Sequence, residues 1–269
     1  MNILDQIIDA KKKEVASKKA LTPVQKLEQS IYFETQPVSL VKYIRRPDKI
    51  GLIAEIKRKS PSKGIIHANA QVERISIGYM QAGASGLSVL TDQEFFGGTN
   101  EDLITARNFN FCPVLRKDFI IDEYQIIEAK SIGADVILLI AAVLKPEEVK
   151  RLSSFAQSLG MEVLLEVHNW EEMDQALTDT VNLVGVNNRD LTTFKTDVDT
   201  SRQLAELIPN NFLKVSESGI SNPLVVLELM NYGYEGFLIG EHFMQHGKPE
   251  RAALEFVKQV KKGMRKEAI

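Results

Sequence analysis

The chain has 269 residues, 33 of them Lys or Arg and 36 Asp or Glu, for a formal net charge of −3. That length suits one large domain, and α/β barrels commonly reach it as a single unit. The near-neutral balance excludes a global argument for nucleic-acid or membrane binding, while the single cysteine, Cys112, excludes an internal disulfide and a multi-cysteine metal site and fits a reducing cytoplasm.

The chain opens with MNILDQIIDAKKKEV, which is amphipathic and not a signal peptide. Ile3, Leu4, Ile7 and Ile8 recur at helical spacing, with Asp5 and Asp9 between them. No apolar run approaches the roughly 18 residues of a membrane-spanning helix. The first 50 residues are expected to add one or two helices. Eight apolar, strand-like runs then follow: GLIAEIK (51–57), GLSVL (86–90), CPVLRK (112–117), DVILLI (135–140), MEVLLEV (161–167), VNLVGVN (181–187), NFLKVSE (211–217) and EGFLIG (235–240). Helix-like segments separate most of them, among them 72–83, 124–133, 146–160 and 222–233. Several end in Gly, a helix stop signal, and Pro146 and Pro223 sit where helices begin. The segment RAALEFVKQVKKGMRK reads as a closing helix with a basic end.

Strands alternating with helices imply βαβ units and a parallel sheet. Eight of them imply a closed (β/α)8 TIM barrel or a large doubly wound sheet. The count, and the absence of G-x-G-x-x-G after the first strand, favour the α/β barrel. The expected organisation is an N-terminal helical extension over 1–50 and a barrel over 51–269, a single domain overall.

In such a barrel, chemistry resides at the C-terminal strand ends. Charges gather there. The first strand ends in Glu55 and Lys57, the third in Lys117, the fifth in Glu166, the sixth in Asn187 with Arg189 beyond, and the seventh in Glu217 and Ser218. The opposite ends carry chiefly Asp135, Glu162 and Glu235. One strand-end charge is ordinarily a solvated boundary residue, but barrel closure brings all of these into one mouth. Burial and neighbouring charges there are expected to displace pKa values, lowering a Lys and raising a Glu, as acid–base work near pH 7 requires.

Glycine is the second theme. SESGI (216–220) follows the seventh strand and LIGEHF (238–243) spans the eighth strand's end, the two loops that often hold phosphate in this architecture. Gly219 and Gly240 are therefore candidate phosphate contacts, or glycines that only close turns. Ser60-Pro61-Ser62-Lys63-Gly64 is either a lid over an anion or a basic surface loop. His242 and His246 lie four apart without an acidic ligand set, so no metal is expected. Trp170 reads as a helix start, and Phe95-Phe96 as a pocket wall or a loop anchor.

AEIKRKSPSKG, LSVLTDQEFFGG, PVLRKDFIID, LLEVHN, GVNNRDL and SESGI, in this order, resemble indole-3-glycerol phosphate synthase over nearly the whole chain. The resemblance implies ring closure of 1-(2-carboxyphenylamino)-1-deoxyribulose 5-phosphate to indole-3-glycerol phosphate, CO2 and water. It implies Lys117 as general acid, Glu166 as the carboxylate of later steps, and Lys57, paired with Glu55, as second lysine. Asn187, Arg189 and Ser60 would hold the anthranilate carboxylate and hydroxyls, with Glu217 and Ser218 as the seventh-strand pair. Phe119 would line an aromatic pocket. Gly219, Gly240 and Glu241 would form the phosphate loops. Two positions depart from the pattern: Lys59 replaces a small residue, and Glu241 stands where some relatives have Ser, which leaves backbone phosphate binding intact.

No cofactor is implied, because the iminium formed on ring closure is the substrate's own electron sink. A small phosphorylated substrate, no nucleic acid, no membrane, a monomer and a cytoplasmic location complete the expectation. The rivals are another phosphate-binding barrel, such as phosphoribosylanthranilate isomerase, and a non-catalytic barrel that binds a phosphorylated metabolite. The extension could cover the barrel's bottom or lean over the substrate; the resemblance favours the substrate side.

Overall fold

Each of the eight apolar runs forms a strand of one closed parallel barrel. The structure, a computed structural model, describes residues 3–191 and 193–267; residues 1, 2, 192, 268 and 269, among them the ends of the expected domain bounds, lie outside it. The strands are β1 (Leu52–Ile56), β2 (Gly86–Leu90), β3 (Val114–Lys117), β4 (Val136–Ile140), β5 (Glu162–Val167), β6 (Leu183–Asn187), β7 (Leu213–Glu217) and β8 (Gly236–Ile239). Each pairs with its sequence neighbours, and β8 closes on β1 through Leu52–Phe237, Ile53–Leu238 and Ala54–Ile239. The doubly wound alternative is thereby excluded. Apart from β2, which matches its run, the strands begin one or two residues inside the expected starts. At β3 the reason is Pro113, which has no N–H to donate and offers only its carbonyl, to Leu87 N–H at 3.0 Å.

The helices begin and end where local chemistry directs. Thr99 and Asp102 form a capping box for Asn100–Phe109, as do Asp122 and Gln125 for Glu123–Ser131. Gly83, at φ 102°, terminates Val72–Ala82 in a conformation that only glycine adopts without strain.

Inside the barrel, Ile53, Leu115, Leu164 and Val215 belong to one buried apolar cluster, contributed by β1, β3, β5 and β7. Two residues further along each strand, on the same face, stand Glu55, Lys117, Glu166 and Glu217. Alternate strands supply the layers of such an interior, so the last layer before the mouth is ionic where the one beneath is hydrocarbon.

Among its described residues the extension contains three helices, α1 (Ile3–Leu21), α2 (Val24–Leu27) and α3 (Leu40–Ile44), against the one or two expected. It reaches both ends of the barrel. Leu40 and Ile44 of α3 join the interior cluster from below. Glu162 accepts the backbone N–H groups of Leu40 and Val41 at 2.8 and 3.1 Å, Asp135 accepts that of Val38 at 2.8 Å, and Arg45 binds Glu235 at 2.9 and 3.0 Å. The three carboxylates at strand starts thus anchor the plug. At the other end, Ile7, Lys11 and Val15 form the buried stripe of α1. Lys11 is only 1% exposed and lies 2.9 Å from both Asp92 and Asp118 and 2.7 Å from Glu14.

Candidate active site

The C-terminal ends of the strands surround a cavity of about 700 Å3. Glu55, Lys57, Ser60, Lys117, Phe119, Glu166, Asn187, Arg189, Glu217, Ser218, Gly219, Gly240 and Glu241 all line it. Residues scattered over nearly 190 positions of sequence therefore face one space.

At the centre, Lys117 Nζ donates to Glu166 Oε2 at 2.6 Å and to Glu217 Oε2 at 3.0 Å. Glu166 Oε1 accepts from Asn187 Nδ2 at 3.1 Å. Beside this group, Lys57 Nζ donates to Glu55 Oε1 at 2.7 Å, and Ser88 Oγ reaches Glu55 Oε2 at 3.3 Å. The i, i+2 spacing of Glu55 and Lys57 thus yields an ion pair within the mouth.

Three carboxylates surround Lys117, and their number decides its ionisation. Burial works against its ammonium, but Glu166, Glu217 and Glu55 outweigh burial and hold its pKa well above the ordinary lysine value. The expectation of a lowered lysine is corrected here: the neighbours are anions, not other cations. Burial also opposes the charge on Glu166, yet Lys117, His168 and the bond from Asn187 keep its pKa low. Glu217 goes the other way. Burial together with Glu166 and Glu55 overcomes Lys117 and pushes its carboxyl up to about 7. Two carboxylates sharing one ammonium thus separate into a firmly ionised one and one poised near neutrality.

Glycines make room for these charges. A methyl group at Gly185 on β6 would lie 2.2 Å from Glu217 Oε1, and one at Gly240 would lie 2.5 Å from Glu55 Oε1. Gly240 was singled out as a phosphate contact; it also leaves space for Glu55. Gly185 carried no signal by itself, since a glycine within an apolar strand reads only as a packing detail.

The loop after β7 is held in an unusual shape. Ser218 (φ 65°) and Gly219 (φ 74°) are consecutive left-handed residues, and such turns present backbone N–H groups to anions. The Ser218 conformation is costly for a non-glycine residue. It is fixed by Asn188, which donates to the Ser218 carbonyl at 3.1 Å and to Ser216 Oγ at 3.0 Å, and accepts from Ser201 Oγ at 2.8 Å. Asn188 lies within GVNNRDL beside Asn187, and only Asn187 was singled out in the sequence.

Arg189 joins three loops. It donates to Ser62 Oγ at 2.6 Å, to Glu241 Oε2 at 2.8 Å and to Thr196 Oγ1 at 3.3 Å. Burial opposes the Glu241 charge, but Arg189, Lys57 and Lys63 keep its pKa low. An ionised, paired carboxylate repels phosphate, so the Glu241 side chain serves Arg189 and only its backbone is left to meet an anion. Lys59–Ser60 and Gly64–Ile65 form a short antiparallel pair that shapes the SPSKG loop. Lys59 turns away and donates to the Glu94 carbonyl at 2.5 Å.

Phe96 and Phe119 pack with ring centroids 6.0 Å apart on one wall of the cavity. Ile3, Leu4 and Ile7 of α1 also line it, with Leu138 and Ile140 of β4. The amphipathic pattern of α1 was visible in sequence, and its apolar face meets the substrate side that the resemblance favoured. Trp170 starts helix Trp170–Ala176, as read. His242 packs against Phe256, centroids 5.6 Å apart, and against His246 at 5.8 Å.

Comparison with known proteins agrees over nearly the whole chain. The sequence model of the indole-3-glycerol phosphate synthase family matches residues 4–256. The indole-3-glycerol phosphate synthase of Bacteroides thetaiotaomicron is 46% identical, over 96% of this chain and 99% of that one. The protein of the same name from Caldanaerobacter subterraneus subsp. tengcongensis is 43% identical, over 97% and 100%, and indole-3-glycerol phosphate synthase 2 of Ralstonia nicotianae is 44% identical, over 95% and 96%. A solved structure described as native KDPGal superposes with a TM-score of 0.57 at 13% identity, covering 86% of this chain and 98% of that one. At that identity it shows the shared fold alone.

Proposed function

The chain belongs to the indole-3-glycerol phosphate synthase family, and from that premise we propose that Lys117 donates the proton that starts ring closure. The enzyme is a carboxy-lyase of tryptophan biosynthesis. It converts 1-(2-carboxyphenylamino)-1-deoxyribulose 5-phosphate to indole-3-glycerol phosphate, CO2 and water. The observation that carries the residue assignment is the position of Lys117 Nζ, 2.6 Å from Glu166 and 3.0 Å from Glu217 at the barrel mouth. An ammonium so held is fully charged, aimed and partly shielded from water, as a proton donor to a carbonyl oxygen must be.

In this reading, the ribulose carbonyl lies at Lys117 while the ring carbon bearing the carboxylate attacks it. Loss of CO2 restores the aromatic ring. Dehydration then requires a proton on the departing hydroxyl and a base for the adjacent CH2. Glu166, ionised and fixed by Asn187, serves as that base, with Lys57 near the substrate's anions and Glu55 holding Lys57. Asn187, Arg189 and Ser60 hold the carboxylate and hydroxyls. Phe119 and Phe96 take the anthranilate ring. The phosphate meets Ser218, Gly219, Gly240 and the Glu241 backbone. A phosphoribosylanthranilate isomerase would not need both the β1 Glu-x-Lys pair and the β3 lysine. The substrate's own iminium is the electron sink, so this chemistry asks for no cofactor.

We also infer one domain, comprising the 1–50 extension and the 51–269 barrel, that works as a monomer in the cytoplasm without nucleic acid or membrane. No described helix is long and apolar enough to cross a membrane, which supports the last point. The test is direct. Purified protein with the carboxyphenylamino-deoxyribulose phosphate should develop indole fluorescence, and folded protein that yields none would refute the reading.

A further inference from the structure

Glu166 has a neighbour outside the machinery above. The imidazole of His168, two residues on, places Nε2 3.6 Å from Glu166 Oε1. That nitrogen is buried and has no hydrogen-bond partner among the described residues. The other nitrogen, Nδ1, lies 3.0 Å from Glu172 Oε2. Glu172 is itself fixed: it accepts the backbone N–H of His168 at 2.9 Å and the Asn169 side chain at 3.0 Å.

A carboxylate only accepts hydrogen bonds, so Glu172 requires the proton on Nδ1. In the neutral imidazole, Nε2 is then a bare lone pair facing a carboxylate oxygen. One added proton joins the two atoms, as N–H on His168 or as O–H on Glu166, and gives Nε2 the partner it lacks. The arrangement repeats a general pattern, a working group backed by an imidazole that a third, anionic group orients. The groups facing His168 are Glu166 near the end of β5, the strand it follows, Glu172 on the following helix and Glu217 on β7, with Lys117 beyond Glu166 and Glu217. Burial disfavours the imidazolium, but the bond to Glu172 and the charges of Glu166, Glu172 and Glu217 outweigh it and raise the His168 pKa above the usual 6.5.

The reaction supplies a use for such a proton. The substrate's carboxylate anion departs as neutral CO2, so each turnover consumes one proton from solution. Lys117 gives up a proton to the carbonyl oxygen and must be recharged within a buried site. We propose that His168 is a positioning residue for Glu166 that delivers this proton. The Nε2–H bond breaks as an O–H bond forms on Glu166 Oε1; the neutral carboxyl then turns to bring that O–H to Lys117, which otherwise meets Oε2, and it breaks as Lys117, then a neutral amine, regains its N–H. His168 is recharged from solvent, its side chain being 11% exposed. The inference rests on Glu166 being the catalytic carboxylate.

The test measures kcat and KM from about pH 5.5 to 9 for wild type, His168→Gln, Glu172→Gln and Glu166→Gln. Glutamine preserves a polar amide but cannot titrate. Wild-type kcat should fall on the alkaline side as His168 loses its proton. His168→Gln should lose that limb, with kcat at pH 7 down about 10-fold or more and KM within about 3-fold. Added imidazole should restore part of kcat. Glu172→Gln should move the limb to lower pH, which keeps the proposal testable if the histidine variant fails to fold. An unchanged limb with kcat within about 2-fold in His168→Gln, beside an inactive Glu166→Gln, would overturn the His168 role alone. A fully active Glu166→Gln would instead overturn the reading on which it rests.

Discussion

Gly185→Ala is the most informative single methyl group that can be added to this barrel. Its Cβ would sit 2.2 Å from Glu217 Oε1 and 3.2 Å from Leu164 Cδ1. A carbon–oxygen contact needs roughly 1 Å more than that, so the Glu217 carboxylate must move by about that much. Glu217 is 2% exposed and has little freedom to do so. Its 3.0 Å bond to Lys117 is the contact most directly strained. Overpacking costs about 1–3 kcal/mol, and loss of a charge-assisted bond about 1.5–3 kcal/mol. If half of the second term falls on the transition state, kcat drops about 4- to 13-fold, and if all of it does, about 13- to 160-fold. Steady-state assay of Gly185→Ala, Glu217→Ala and the double variant separates the route. In the Glu217→Ala background the methyl group has space, so Gly185→Ala should then have almost no further effect on kcat, a coupling nearly as large as the single effect. A folded Gly185→Ala with wild-type kcat, or additive effects of the two substitutions, would refute the argument that this glycine exists to seat Glu217.

Other expectations concern the two ends of the barrel. Lys11→Met leaves Asp92 and Asp118 buried without their shared cation and should cost about 3–5 kcal/mol in urea unfolding; a loss under about 1 kcal/mol would show that the pair is compensated elsewhere. Burial pushes the Asp118 carboxyl up, but Arg116 and Lys11 outweigh it and hold it at about 2, against 3.8 for a free side chain. The resulting stability, about 2 kcal/mol, is fully present above pH 3.8 and lost as pH falls toward 2. The stability gap between wild type and Asp118→Asn should therefore narrow between pH 5 and pH 3, and a constant gap would contradict the assignment. Glu162→Gln, at the closed end, should weaken the α3 plug and lower Tm by several degrees while leaving kcat within about 2-fold; a large kcat loss would deny the division between a stabilising bottom and a reactive top.

The architecture was legible because its strands are covered on both sides and so read as uninterrupted apolar runs. Charges at one end of those runs stood out against hydrocarbon, and the fold then dictated that they meet. Other features required three dimensions. Gly185 and Gly240 matter through the carboxylates beside them, and neither contact follows from spacing along the chain. Lys11 is one of three consecutive lysines and drew no notice in the sequence, yet it is buried on its helix with partners, Asp92 and Asp118, that follow two different strands. The direction of the Lys117 shift was misread because sequence shows which charges share a mouth but not how many anions touch one cation. His168 sat in plain view within LLEVHN, but its use depends on a 3.6 Å approach to Glu166 that no periodicity reports.

The central claim is that Lys117, clasped by Glu166 and Glu217, supplies the first proton. It is tested most directly by kcat for Lys117→Ala with the carboxyphenylamino-deoxyribulose phosphate, measured beside its circular dichroism spectrum and Tm. The account predicts a loss of about 10²- to 10⁴-fold in kcat in a folded protein. A folded variant retaining kcat within about 10-fold of wild type would place the proton donor elsewhere and contradict it.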